Sequence, residues 1–128
     1  MAGHPGDVPP RALTAREADA LEFVLSVDDA RIEPLRRQAG FAAVTWECTC
    51  GCATVCFAVD RSQASAALGL CSPVLHAYRR GPFDADRFCE LILFLDDGWL
   101  SSLELVWYAK PIAEFRPPTE FEPPILGC

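Results

Sequence analysis

The first regular pattern along the chain is a helical one. Four apolar residues recur at a spacing that places them on one face of an α-helix: Ala18, Leu21, Val24 and Leu25. Such a stripe allows a helix to pack against a core. Thr14 is suited to cap the helix, and Glu17 completes a capping box with it. The pattern predicts a helix over about residues 15–26, followed by a loop over 30–40 that has room for a helical turn.

From Phe41 onward the pattern changes to the alternation that is typical of β-strands. Five segments alternate in this way or are continuously apolar at strand length: 42–48, 53–59, 74–78, 88–95 and 99–108. Asp97-Gly98 lies between the last two and predicts a tight hairpin, because glycine tolerates the positive φ that such a turn requires. Both faces of these last two segments are mostly apolar, so we expect them near the centre of the sheet.

Proline and glycine are concentrated at the two ends of the chain. Residues 1–12 predict a flexible lead-in, and residues 111–128 predict a proline-rich tail that packs along the surface. The segment between them, 13–110, is expected to form a single domain. Its pattern predicts the α+β class, with the N-terminal helix packed on an antiparallel meander of four to five strands.

The composition indicates which kinds of molecule the protein is suited to bind. The chain has 128 residues, and its 18 acidic and 11 basic residues give a net charge of −7. This charge repels the phosphates of nucleic acids, whereas it suits a basic protein surface. We see neither a secretory signal nor an apolar run of bilayer length, so we expect a cytoplasmic protein that does not associate with membranes. Thiols stay reduced in that compartment.

The most unusual stretch of the sequence is a cluster of thiols. Four of the seven cysteines fall within nine residues: Cys48, Cys50, Cys52 and Cys56. A two-residue turn at Cys50-Gly51 keeps Val44, Trp46 and Val55 together on one apolar face, and the register of a hairpin follows its buried face. This register would disperse the thiols, with Cys48 in the core, Cys50 in the turn and the other two on the opposite face.

Dispersed thiols favour a structural role for the cysteines, because cysteine packs like a small apolar residue. The same interpretation extends to Cys71, Cys89 and Cys128. Structural zinc sites usually take two close pairs of ligands from separate loops, and redox motifs usually place two cysteines at a helix N-terminus. The spacing C-x-C-x-C-x3-C matches neither. A site for zinc or for the softer Cu(I), held by the four clustered cysteines, remains the alternative.

The sequence contains no recognisable catalytic constellation. His4 lies in the lead-in, and His76 has no nucleophile or carboxylate beside it in the sequence that would mark it as a general base. The pairs Asp28-Asp29 and Asp96-Asp97 are most simply a helix exit and a turn. Neither a nucleophile elbow nor a glycine-rich phosphate loop is present in the sequence.

Two stretches resemble known groups of proteins. The sequences CTCGCATVCFAVD at 48–60 and LILFLDDGWLSSLELVWYAK at 91–110 resemble those of small actinobacterial proteins of unknown function, which carry a C-x-C-G-C hairpin and a later D-G-x-L-S-x-L-E strand. The second stretch is also similar to strands of small α+β immunity proteins of bacterial toxin systems. The resemblance assigns no catalytic residue. If the cysteine triplet is a feature of the group, a purely structural role for Cys48, Cys50 and Cys52 becomes a weaker interpretation.

From these observations we expect a protein without enzymatic activity or cofactor that binds another protein, with an immunity-type role as one candidate. The alternative is a metal- or thiol-binding module centred on Cys48, Cys50, Cys52 and Cys56, with zinc or copper as the ion. An enzyme with an unfamiliar site in a surface pocket is a third possibility.

Overall fold

The computed structural model describes residues 3–127, which form an antiparallel sheet with α-helices on one face. The elements in chain order are β1 (Asp7–Arg11), α1 (Ala15–Val24), α2 (Glu33–Ala39), β2 (Ala42–Glu47), β3 (Val55–Val59), β4 (Leu75–Tyr78), β5 (Cys89–Asp96), β6 (Trp99–Trp107) and β7 (Ile125–Leu126). Short 3-10 turns cover Ala30–Ile32 and Pro118–Glu120. The predicted α+β class is confirmed, but the prediction of four to five strands is an undercount, because the sheet formed by residues 3–127 has seven strands.

The strands do not follow one another in a single meander. Their order across the sheet is β1-β2-β3-β6-β5-β4-β7, and all neighbours are antiparallel. Two three-stranded units, β1–β3 and β4–β6, therefore meet where β3 lies beside β6. That seam is short, with Val55 opposite Leu103 and Cys56 opposite Ser102.

The undercount comes from two edge strands. β1 lies within residues 1–12, where we predicted a flexible lead-in, and it pairs with β2 through Asp7 opposite Trp46. Its Pro9 and Pro10 hide the strand pattern, yet proline is tolerated at a sheet edge because no ladder donor is needed on the outer side. β7 is a two-residue strand in the proline-rich tail, and it pairs with β4.

Residues 30–40 were predicted as a loop but form a second helical segment. Asp29 accepts a hydrogen bond from the backbone of Arg31 and so starts the 3-10 turn, which runs directly into α2. Pro34 falls in the first turn of α2, where its missing N–H breaks no helical hydrogen bond. Gln38 of α2 is completely buried, and its amide bonds to the backbone of Ser65, Gly98 and Leu100.

The core lies between the helices and one face of the sheet. Its largest fully buried side chains come from both helical segments, three strands and the tail: Leu21, Leu25, Ile32, Leu35, Leu75, Leu91, Leu93, Leu103, Leu105, Phe115 and Phe121. The alternate residues of β5, such as Glu90 and Ile92, are only half-buried. One face of the sheet is therefore packed and the other is partly open to solvent.

Candidate metal centre

The four clustered cysteines lie in and just after the connection between β2 and β3. We call residues 48–54 the cysteine loop. The two ends of the loop are held together by the pairing of Glu47 with Val55 and by a hydrogen bond that the N–H of Cys48 donates to the carbonyl of Thr54, at 3.1 Å. The predicted two-residue turn at Cys50-Gly51 is therefore wrong, because the strands separate at Glu47 and the loop is wider.

A β-bulge explains the difference in register. Val44 lies opposite Phe57, as predicted, but the pairing shifts before Trp46, which then lies opposite Cys56 rather than Val55. A bulge places an extra residue in one strand and turns the following side chains to the other face. The apolar pattern of β2 does not reveal this extra residue.

The cysteine loop is held from two sides. The N–H of Ala53 donates to the carbonyl of Ile112, at 2.9 Å, which ties the loop to the segment after β6. The N–H of Leu105 in β6 donates to the hydroxyl of Thr54, also at 2.9 Å. Gly51 has a φ of 91°, a value that glycine adopts far more easily than other residues, and nothing lies within 4 Å of where its Cβ would be.

This loop brings three of the four thiols together. The Sγ atoms of Cys48, Cys50 and Cys52 lie within 4.8 Å of one another, and those of Cys48 and Cys50 are 3.0 Å apart. The expected dispersion of the thiols does not hold for these three. Cys56 lies outside the group on β3, opposite Trp46 and Ser102. Its burial and the nearby Glu104 raise the pKa of its thiol.

The three thiols differ in their environments. The hydrogen bond between the two sulfurs raises the pKa of Cys48 to about 11. The same bond lowers the pKa of Cys50, and the backbone N–H of Cys52, at 3.4 Å, and the side chain of Trp107 lower it further. The Cys52 thiol donates to Thr54 Oγ1, at 3.4 Å. Cys50 is exposed, whereas Cys48 and Cys52 are half-buried.

A cleft of about 300 Å³ lies beside two of these cysteines. Its polar wall is an ion-pair triad, in which Arg11 bonds to Glu17, at 2.8 Å, and to Glu47, at 2.9 Å. Burial alone would raise the pKa of Glu17, but hydrogen bonds from Arg11 and Thr14 outweigh it, and the net pKa is lowered. The triad joins β1, α1 and the end of β2, so it fixes the base of the cysteine loop.

The donor set suits a soft metal ion. Metal–thiolate bonds are about 2.3 Å long, so two sulfurs on one tetrahedral ion lie about 3.8 Å apart. The three Sγ atoms can reach such spacings with shifts on the order of 1 Å, and thiolate ligands favour Cu(I) and zinc. Within residues 3–127, the group of close potential ligands contains these three cysteines and neither histidine nor carboxylate.

The other residues considered from the sequence lie elsewhere. The ring of His76 contacts the carboxylate of Glu90, at 3.2 Å, and the backbone of His4 donates to Asp7. Cys89 is a free thiol in the core, and burial raises its pKa to about 11. Cys71 is disulfide-bonded, which differs from the reduced thiol that the sequence led us to expect. Cys128 lies outside the described residues.

Comparison with protein-family models, with curated protein sequences and with solved structures finds no match to this chain. Over residues 3–127, the helices are too short or too polar to cross a lipid bilayer.

Proposed function

We propose that this protein binds one Cu(I) ion through the thiolates of Cys48, Cys50 and Cys52. The observation that carries the proposal is the spacing of the three Sγ atoms, which lie within 4.8 Å of one another. Ligands that are already assembled need little reorganisation on binding, and this favours affinity. The sequence-based alternative of a four-cysteine site is thereby reduced to three ligands, with Cys56 outside.

Copper fits this set better than zinc does. Zinc sites in proteins are almost always four-coordinate, and a structural site closes all four positions with protein ligands. Three thiolates without a fourth protein ligand suit a soft monovalent ion. A zinc ion here would need a fourth ligand from solvent or from another molecule, which would lie in the cleft beside Cys48 and Cys52.

The test is an anaerobic titration of the reduced apoprotein with Cu(I) against a competing chelator. We expect one equivalent to bind with the ultraviolet absorption of copper–thiolate bonds. Loss of an outer partner of a metal ligand already weakens binding about 10–100-fold, so Cys48→Ser, Cys50→Ser and Cys52→Ser should each weaken it by at least about tenfold. Cys56→Ser is the matched control and should bind normally. Equal Cu(I) affinity in all four variants would refute the site, and a parallel zinc titration tests the choice of ion.

The protein-binding function expected from the sequence remains a second candidate, and an exposed aromatic cluster supports it. Its members are Tyr78, Phe83, Phe88 and Tyr108, with neighbouring ring centroids 5.2–6.3 Å apart. Phe83 and Tyr108 are 69% and 58% exposed. Aromatic residues are enriched in protein interfaces and often contribute most of the binding energy. In this second proposal the protein is cytoplasmic and has no enzymatic activity. It binds a basic protein partner, and an immunity-type role is one form that this binding could take.

A variant pair tests this candidate. Phe83→Ala combined with Tyr108→Ala should abolish the capture of a basic partner from an extract of the source cells. Phe41→Ala removes another aromatic ring that is 44% exposed, outside the cluster, and should leave capture intact. Capture that survives the double substitution would show that the aromatic cluster is not the interface.

A further inference from the structure

The two sulfurs at the start of the cysteine loop lie closer together than metal binding requires. The Sγ atoms of Cys48 and Cys50 are 3.0 Å apart, whereas two thiolates on one tetrahedral ion are about 3.8 Å apart. A disulfide bond is about 2.0 Å long, so a shift of about 1 Å would join them. Both residues lie in a loop outside the strands, where such a shift does not disturb the ladder of the sheet.

We propose that Cys50 and Cys48 form a thiol–disulfide exchange site for low-molecular-weight disulfides of the glutathione type. The thiolate of Cys50 attacks one sulfur of the small disulfide. One small thiolate leaves, and a mixed disulfide remains on Cys50. The Cys48 sulfur then attacks the Cys50 sulfur as its proton passes to the departing group, and the second small thiol is released. The protein ends with a Cys48–Cys50 disulfide and has lost two hydrogens, and the small disulfide has been reduced to two thiols.

The exposure of each thiol decides its role in this sequence of steps. Cys50 is the exposed member of the pair, so a tripeptide disulfide can reach its sulfur. The backbone N–H of Cys52 donates to that sulfur, at 3.4 Å, and a donor in this position stabilises a thiolate. Cys48 is half-buried, which shields it from a bulky reagent but leaves it beside Cys50. Cys52 is engaged with Thr54 and keeps its thiol.

The exchange would control access to the copper site. Once Cys48 and Cys50 are joined, only Cys52 of the three ligands remains, and one thiolate cannot hold the ion as three do. The protein then has two states. In one, the cysteine loop is reduced and binds copper; in the other, the loop is oxidised and binds none. This control of metal binding rests on the proposed copper function, whereas the exchange reaction itself does not.

The experiment uses the full chain, reduced, freed of metal with a chelator, and equilibrated with glutathione and glutathione disulfide. After the remaining thiols are alkylated, trypsin cleaves after Arg37 and Arg61 and releases residues 38–61 with all four clustered cysteines. Mass spectrometry should find a peptide that has lost two hydrogens in the wild type, in Cys52→Ser and in Cys56→Ser. Cys50→Ser should yield no such product, and Cys48→Ser should carry one glutathione on Cys50.

Three results would overturn the exchange site: no disulfide within residues 38–61 at any redox ratio, a disulfide that persists in Cys50→Ser, or no mixed disulfide in Cys48→Ser. None of these measurements involves copper, so failure of the copper proposal leaves them interpretable. The oxidised protein should bind Cu(I) at least about tenfold more weakly than the reduced protein. Equal affinity would refute the control of metal binding while leaving the exchange reaction standing.

Discussion

The connections β2–β3 and β5–β6 were both predicted as two-residue turns, but only the β5–β6 connection is such a turn. The turn from β5 to β6 places Asp97 at a φ of 47° and Gly98 at 82°, with Asp96 directly opposite Trp99. These angles match the twist of the strands, so the local sequence determines the two-residue turn. Farther from the turn, a bulge between Phe94 and Leu95 shifts the register here too. The connection from β2 to β3 is the wider cysteine loop, whose shape depends on a bulge and on contacts with distant segments.

The two connections differ because the residues of only one of them determine the conformation of the turn. Asp-Gly favours the left-handed conformation at both turn positions, whereas cysteine has no such preference. The β2–β3 connection therefore takes its shape from Ile112, Leu105 and the ion-pair triad, which follow or precede it at long range.

Gly98→Ala should destabilise the protein most, by about 3 kcal/mol or more, because both the conformation and the space oppose a side chain. Its φ is 82°, and a Cβ would lie 2.2 Å from the carbonyl oxygen of Ala67. Urea denaturation measures the loss. Gly40→Ala is the matched control, since its Cβ would make only an ordinary contact at 3.5 Å, and it should be within about 0.5 kcal/mol of the wild type. Similar stabilities of the two variants would contradict this account.

Glu17→Gln should cost about 2 kcal/mol at neutral pH, because it removes charge-assisted hydrogen bonds from Arg11 at a site that is only 7% exposed. The pKa of Glu17 is lowered in the fold, so its stabilising effect is complete above the ordinary value of 4.5. It is lost as the pH falls through the lower folded pKa. The gap in unfolding free energy between the two proteins should therefore narrow in acid; a gap that widens there would refute this role.

Thr54→Val should cost about 1.5 kcal/mol, because the N–H of Leu105 loses its acceptor in the partly buried seam beside β3. The same change frees the Cys52 thiol from its hydrogen bond. We expect weaker Cu(I) binding as well, measured by chelator competition. Thr54→Ser keeps the hydroxyl and is the control, so it should restore both stability and affinity.

Gly51→Ala should have the smallest effect on stability, about 1 kcal/mol, although its φ of 91° is even more positive than that of Gly98. The reason is that nothing lies within 4 Å of the new Cβ, so only the backbone conformation is strained. Relief of that strain should spread the three sulfurs apart and weaken Cu(I) binding. A loss of stability as large as that of Gly98→Ala would show that the two turns are equally constrained.

Local patterns predicted much of the fold. The capping box of Thr14 and Glu17 is present, and the turn at Asp97-Gly98 is the predicted one. The short edge strands and α2 were missed because Pro9, Pro10 and Pro34 interrupt the patterns that would reveal them. A two-residue strand such as β7 offers no period to detect.

The candidate site was less predictable, and for a physical reason. The sequence identified the cysteines, but their convergence depends on an extra residue in β2 that the apolar pattern does not mark. Arg11 and Glu47 are 36 residues apart, and no local signal joins them. Trp107 approaches Cys50 only because β6 lies beside β3.

The hydrogen bond that the N–H of Ala53 donates to the carbonyl of Ile112 joins the cysteine loop to the C-terminal segment. Phe115 and Phe121 are each 1% exposed, and they anchor this segment in the core. A chain shortened before Pro111 would keep every sulfur of the cluster but lose the hydrogen bond from Ala53 to Ile112 that holds the cysteine loop. The final stretch of the polypeptide is thus as much a part of the thiol centre as the residues that carry the sulfur atoms.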